Sequence, residues 1–162
     1  MDGSSEALIT YRLDGDIALI ALNRPEKRNA ISDRVVEALH LAVERAQDEA
    51  RAAVIHGAGA HFCAGLDLAE HMEKPLIAAV QGSRRWHRIF DGIERGAIPF
   101  VCAMQGAVVG GGFELAAATH IRVADKTAFF GLPEGQRGIF VGGGGAVRIA
   151  RLIGAQRMGD MM

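Results

Sequence analysis

Apolar and polar positions follow two rhythms along this chain, and the rhythm changes at short glycine-containing breaks. Leu8 to Leu13 and Ile17 to Leu22 are short runs rich in apolar and β-branched residues, split by Asp14-Gly15-Asp16. That arrangement predicts a β-hairpin. Asn23 to Asn29 reads as a polar loop. Ser32 reads as the N-cap of a helix whose Val35, Val36, Leu39, Val43 and Ala46 recur at helical spacing. Ala52 to His56 predicts a buried strand, stopped by Gly57-Ala58-Gly59. A longer helix runs through Met72, Leu76, Ala79, Val80, Trp86, Phe90 and Ile93, its start blurred by Pro75 and Gly82. Phe100 to Met104 and Ile121 to Ala124 predict further strands. Between them a loop at Gln105-Gly106 leads to a helix beginning near Gly112, and Gly142 to Gly145 opens another through Val147, Ile149, Ala150 and Leu152. Strand, loop and helix alternate, which predicts an α/β fold.

Composition narrows the picture. The 162 residues, 49% of them hydrophobic, suit a single domain over 1–162 with one well-buried core. Lys and Arg number 18 against 19 Asp and Glu, so no basic excess favours nucleic acid as a partner. Cys63 and Cys102 are too few for a metal knuckle or disulfide framework and read as small core residues in a reducing compartment. No run reaches the roughly 18 apolar residues of a membrane span, and Met1 to Glu6 is polar and acidic, unlike a targeting peptide. A cytoplasmic protein with no membrane partner is expected. His56 and His61 flank a glycine turn, while His87 and His120 stand apart, so no metal site is expected.

Glycine is in excess, 21 of 162 residues against a usual share of about 7%, and the chemistry is expected beside its clusters. Glu114 follows Gly110-Gly111-Gly112-Phe113, and Glu134 sits in Gly131-Leu132-Pro133-Glu134-Gly135. A carboxylate against an apolar wall holds a proton more readily, a second one nearby strengthens the effect, and the two can divide acid and base roles. The plainer alternatives are a first-turn helix glutamate at 114 and a solvated turn at 134. His61-Phe62-Cys63-Ala64-Gly65-Leu66-Asp67-Leu68 lies between a predicted strand and a predicted helix. It is either an ordinary strand-to-helix turn or a place where Gly65 lets the Leu66 N–H face a cleft. Joined by an N–H from the Gly110-Gly111-Gly112 turn, Leu66 would complete an oxyanion hole. A dinucleotide-binding module is the weaker hypothesis: the glycine clusters lack both the spaced glycine fingerprint and a Walker lysine.

Taken together, these segments resemble the enoyl-CoA hydratase/isomerase (crotonase) family from about Ile17 to the end of the chain. The resemblance rests on ordered blocks: Leu22 to Ser32, Phe62 to Leu68, Gln105-Gly106 through Ala116, Phe130 to Glu134, and the glycine run with Arg148 and Leu152-Ile153-Gly154. It implies an α/β spiral of ββα units, here apparently without the C-terminal helical part that family members carry. Gln156 to Met162 would begin a further helix. It implies an acyl-CoA thioester substrate, an oxyanion hole from the N–H groups of Leu66 and Gly111, and Glu114 and Glu134 as catalytic residues. It also implies that Lys27, Arg28, Ala30, Ala64 and Leu68 line the CoA site, though Lys27 and Arg28 alone would also read as a solvated basic loop. Coenzyme A belongs to the substrate, so no separate cofactor is implied. The full-length form is expected to be a homotrimer or hexamer.

Glutamate at both acidic positions favours an enoyl-CoA hydratase, because family isomerases depend on one acid and other branches place other side chains there. The alternatives are an enoyl-CoA delta-isomerase using Glu134, another acyl-CoA reaction of the family, or a non-catalytic acyl-CoA-binding or scaffold protein. Gly142 to Gly145 and Gln136-Arg137 depart from the commoner family pattern and leave the acyl preference open.

Overall fold

The computed structural model describes residues 7–71 and 76–162. The readings placed on Met1 to Glu6, Met72 and Pro75 lie outside the described residues. Strands β1 (Ile9–Asp14) and β2 (Ile17–Leu22) form the expected antiparallel hairpin. Helix α1 (Asp33–Glu49) starts at Ser32, whose hydroxyl accepts a hydrogen bond from the Val35 N–H, and it buries Val35, Val36, Leu39, Ala42, Val43 and Ala46. Then come β3 (Ala52–Gly57), α2 (Leu68–His71), α3 (Leu76–Arg95), β4 (Phe100–Met104), β5 (Ala107–Val109), α4 (Gly111–Ala118), β6 (Ile121–Ala124), β7 (Phe129–Gly131), α5 (Gly145–Ile153) and α6 (Ala155–Met161).

Two layers of strand are present. The larger sheet has the order β1-β2-β3-β4-β6, parallel from β2 onward, and the smaller pairs β5 with β7 in parallel. Single parallel bridges extend the smaller layer, Ile31 to Leu66 and Cys63 to Val108. The chain therefore repeats one path: a strand in the large sheet, a short step in the inner layer, then a helix. Thus β3 leads to Cys63 and on to α2 and α3, β4 to β5 and α4, and β6 to β7 and α5. This is the expected spiral of ββα units. Phe62, Phe90, Phe100, Ile20, Ile55, Leu115, Leu132 and Ile149 fill its centre.

Sequence reasoning missed β5 and β7. Each is only 3 residues long, too short to show an alternating pattern. Helix α4 is buried along its whole length, Gly111 to Ala118, so it has no polar face to give it a helical period.

The loop before α1 is more ordered than its polar sequence suggests. Pro25–Lys27 forms a 3₁₀ turn, and Arg28 and Asn29 both take positive φ, 50° and 57°. Asn29 is 2% exposed. Its Oδ1 accepts from the Arg24 N–H, while its Nδ2 donates to the carbonyls of Ala58 (2.9 Å) and His61 (2.7 Å). One side chain thus ties the loop to the segment leading to Leu66. Asn29→Asp keeps the shape but sets an anion against two carbonyl oxygens and leaves them without a donor. We expect it to lower stability by about 2 kcal/mol or more, as measured by urea unfolding, and to do at least as much harm as Asn29→Ala. A stable Asp variant would contradict this role.

Candidate active site

Three successive turns of the spiral leave the inner layer at the same level, and each delivers one group to the same cleft. Leu66 follows the Cys63 bridge, Gly111 follows β5, and Glu134 follows β7. The registers that hold them are explicit. Cys63 N–H donates to Ala107 O (2.9 Å), Val109 N–H to Cys63 O (3.0 Å), and Gly110 N–H to Gly131 O (2.9 Å). Gly65 has φ +91°, and a side chain there would meet Val109 O at 2.7 Å and the Gly111 nitrogen at 3.2 Å. Only glycine allows so close an approach of the two backbones, which brings the amides of Leu66 and Gly111 to neighbouring positions. Among the described residues neither N–H has a hydrogen-bond acceptor. Gly111 also opens α4, where the helix dipole adds positive potential.

The cleft has a volume of about 610 Å³ and is lined by Leu66, Gly111, Glu114 and Glu134 together with apolar groups such as Trp86 and Ile139. A Cβ on Gly111 would lie 2.6 and 2.7 Å from Cζ3 and Cη2 of Trp86. The first obstacle to a larger residue is therefore the indole, not the incoming thioester.

Glu114 is 4% exposed and Glu134 6%. The plainer reading of Glu134, a solvated turn, does not hold. Glu134 lies over Gly110, where a Cβ would come 2.6 Å from its Oε1, and among the described residues its buried Oε2 has no hydrogen-bond partner. Burial raises its pKa above the usual carboxylate value. Glu114 stands in the first turn of α4, but its carboxylate turns to another element: Oε1 accepts from Gly143 N–H and Gly145 N–H, both at 2.8 Å. Burial pushes its pKa up to about 7; the two N–H groups and Arg148 act against this, and the charge of Glu134 adds to it. Two carboxyls whose pKa values burial raises thus share one wall of the cleft, with two open N–H groups beside them. Such a site can polarise a carbonyl and move protons to and from neighbouring carbons.

The proposed CoA residues lie along a seam next to the cleft, not in its lining. Ala64 N–H donates to Arg28 O, Ile31 N–H to Gly65 O, and Asp67 N–H to Ile31 O. Arg24 spans the seam, donating to Ala30 O and pairing with Asp67 at 3.2 Å. Lys27 and Arg28 are exposed, and Leu68 begins α2. Sequence reasoning missed Gly143 and Gly145 as partners of Glu114, since a role carried by backbone N–H leaves no side-chain signature. It also missed the position of Trp86. Cys63 and Cys102 are buried and unpaired, as expected. Among the described residues no cluster could hold a metal ion, and no helix is long and apolar enough to cross a membrane.

Comparison with known proteins agrees with this fold. The chain is 31% identical over 158 residues to enoyl-CoA hydratase EchA19 of Mycobacterium tuberculosis, covering 94% of this chain and 59% of that protein. A crystal structure from Rhodopseudomonas palustris is 51% identical with a TM-score of 0.91, covering 96% of this chain and 60% of that one. The enoyl-CoA hydratase of Thermoplasma volcanium superposes with a TM-score of 0.92 at 32% identity, covering 96% and 63%. The chain thus spans about three-fifths of the length of these relatives. The family model for enoyl-CoA hydratase/isomerase matches residues 12–162, and the chain belongs to that family.

Proposed function

We propose that this protein adds water across the 2,3 double bond of an enoyl-CoA thioester, giving the 3-hydroxyacyl-CoA, and catalyses the reverse dehydration. The observation that carries the reading is the pair of buried glutamates beside the open N–H groups of Leu66 and Gly111. The thioester oxygen accepts hydrogen bonds from both amides, which stabilises the enolate-like charge as water oxygen bonds to C3. One glutamate takes the proton released by that water, and the other gives its proton to C2. Because the two carboxyls are coupled, the acid and base roles belong to the pair. Loss of one N–H donor of this kind costs about 2.7–4 kcal/mol of barrier. Lys27, Arg28, Ala30, Ala64 and Leu68 hold the CoA portion, a role supported by their seam beside Leu66. Assembly of the full-length protein as a homotrimer or hexamer, and a cytoplasmic location, belong to the same reading.

The decisive assay follows the conjugated enoyl absorbance, which falls when crotonyl-CoA is hydrated and rises when a 3-enoyl-CoA is isomerised. Glu134→Gln and Glu114→Gln should each lower hydration by about 10²–10⁴-fold with little change in CoA affinity. A harmless Glu114→Gln beside an inactive Glu134→Gln would replace hydration by isomerisation. A wild-type protein that binds CoA thioesters and turns over neither substrate would be a binding or scaffold protein.

The same burial predicts how stability depends on pH. The Glu114 carboxyl titrates near 4.5 when unperturbed and about 7 in the fold. Between these values the folded state holds the extra proton, so this group makes stability fall as pH rises from 4.5 to 7 and level off above. Glu114→Gln removes the effect. The variant should be more stable than wild type at pH 8, by roughly 3 kcal/mol at most, and the gain should vanish toward pH 4.5. Equal stability of the two proteins at pH 8, measured by chemical unfolding, would mean that the carboxylate is not held against an apolar wall.

A further inference from the structure

Arg148, on α5, is the buried charged residue that the proposed reaction leaves without a task. Its side chain is only 8% exposed, and its guanidinium points three ways. Nε donates to Glu94 (2.9 Å), Nη2 to Asp91, and Nη1 to the carbonyl of Gly143 (3.0 Å). Both acids lie on α3, which grips the same glycine run once more through Ser83, whose hydroxyl donates to Gly142 O at 2.8 Å. The carbonyls of Gly142 and Gly143 are thus held from one side, while the N–H groups of Gly143 and Gly145 face Glu114 on the other.

The backbone between these groups has no room for side chains. Gly144 has φ +96°, and a Cβ on it would run into Nη1 of Arg148; one on Gly145 would come 2.6 Å from Cγ of Glu114, and one on Gly143 2.9 Å from Phe90. This gives Gly143, Gly144 and Gly145 a physical reason. We propose that Arg148 is a positioning residue for Glu114: by gripping the Gly143 carbonyl it turns two N–H groups onto one carboxylate oxygen and leaves the other oxygen for the cleft. The inference deepens the hydratase reading and rests on it for the meaning of Glu114, although the positioning can be measured without turnover. The charged groups that act on Glu114 are Glu134 after β7 and Arg148 on α5; from α3, Asp91 and Glu94 face Arg148, and His87 lines the cleft beside Gly144.

Arg148→Lys separates charge from geometry, because an ammonium keeps the positive charge but cannot reproduce a planar three-way fork. In the intact protein, ¹³C-labelled glutamate NMR, with the Glu114 signal assigned by its loss in Glu114→Gln, reads the carboxyl directly. We expect the Glu114 titration in Arg148→Lys to move upward by about half a pH unit or more as the N–H contacts loosen. The acid limb of the hydration pH profile should move with it, with kcat falling about tenfold and KM nearly unchanged. Glu94→Gln, which retains an acceptor for Nε, should shift both in the same direction by less, and it carries the test if the lysine variant fails to fold. A folded Arg148→Lys, or failing that Glu94→Gln, with an unchanged Glu114 titration overturns the proposal. A shifted titration in a protein that never hydrates enoyl-CoA would leave the positioning intact and remove the hydratase reading instead.

Discussion

Cys63 exchanges backbone hydrogen bonds with Ala107 and Val109, and β7 lies parallel to β5 on the other side. This narrow inner layer fixes where three turns of the spiral end. Parallel neighbours leave a sheet in the same direction, so their following residues gather at one edge. Leu66, Gly111 and Glu134 meet for that reason, although 45 residues separate the first from the second. The larger sheet and its buried core keep the inner layer in register, and Asn29 fastens its first step.

A site built in this way places carboxyls where water is scarce. Burial of Glu114 opposes its charged form, and only part of that opposition is offset by the two N–H groups of the glycine run and by Arg148. The remainder leaves the group near the midpoint of its titration at neutral pH, which suits proton transfer. Burial also raises the pKa of Glu134, and its Oε2 has no partner among the described residues. An unsatisfied buried oxygen is costly, and Glu134 lines the cleft, where a water molecule or substrate would supply the missing bond.

Much of the fold could be read from the sequence because its larger elements carry regular patterns. The hairpin around Gly15, the capped helix after Ser32 and the strands at Ala52 and Phe100 were all visible as periodicity with breaks. The elements that form the site were harder to see. β5 and β7 are short, and α4, although expected from near Gly112, is buried on every side and so shows no polar face. Nor could the chain display its own repeat, since the ββα path recurs in backbone geometry while each turn uses different residues and different lengths. The two glutamates were legible through their glycine-rich settings and through the family resemblance. The partners that tune Glu114 were not, because Gly143 and Gly145 act through backbone N–H groups and Arg148 acts through a carbonyl.

The central claim is that the amides of Leu66 and Gly111 polarise a thioester carbonyl lying within reach of both glutamates. Isotope-edited infrared spectroscopy of a bound enoyl-CoA with a ¹³C-labelled thioester carbonyl measures that directly, using Glu134→Gln to prevent turnover. The account predicts a carbonyl stretch at clearly lower frequency in the complex than in water, because two aligned donors weaken the C=O bond more than solvent does. A bound thioester whose stretch matches that in water, or rises above it, would contradict the account.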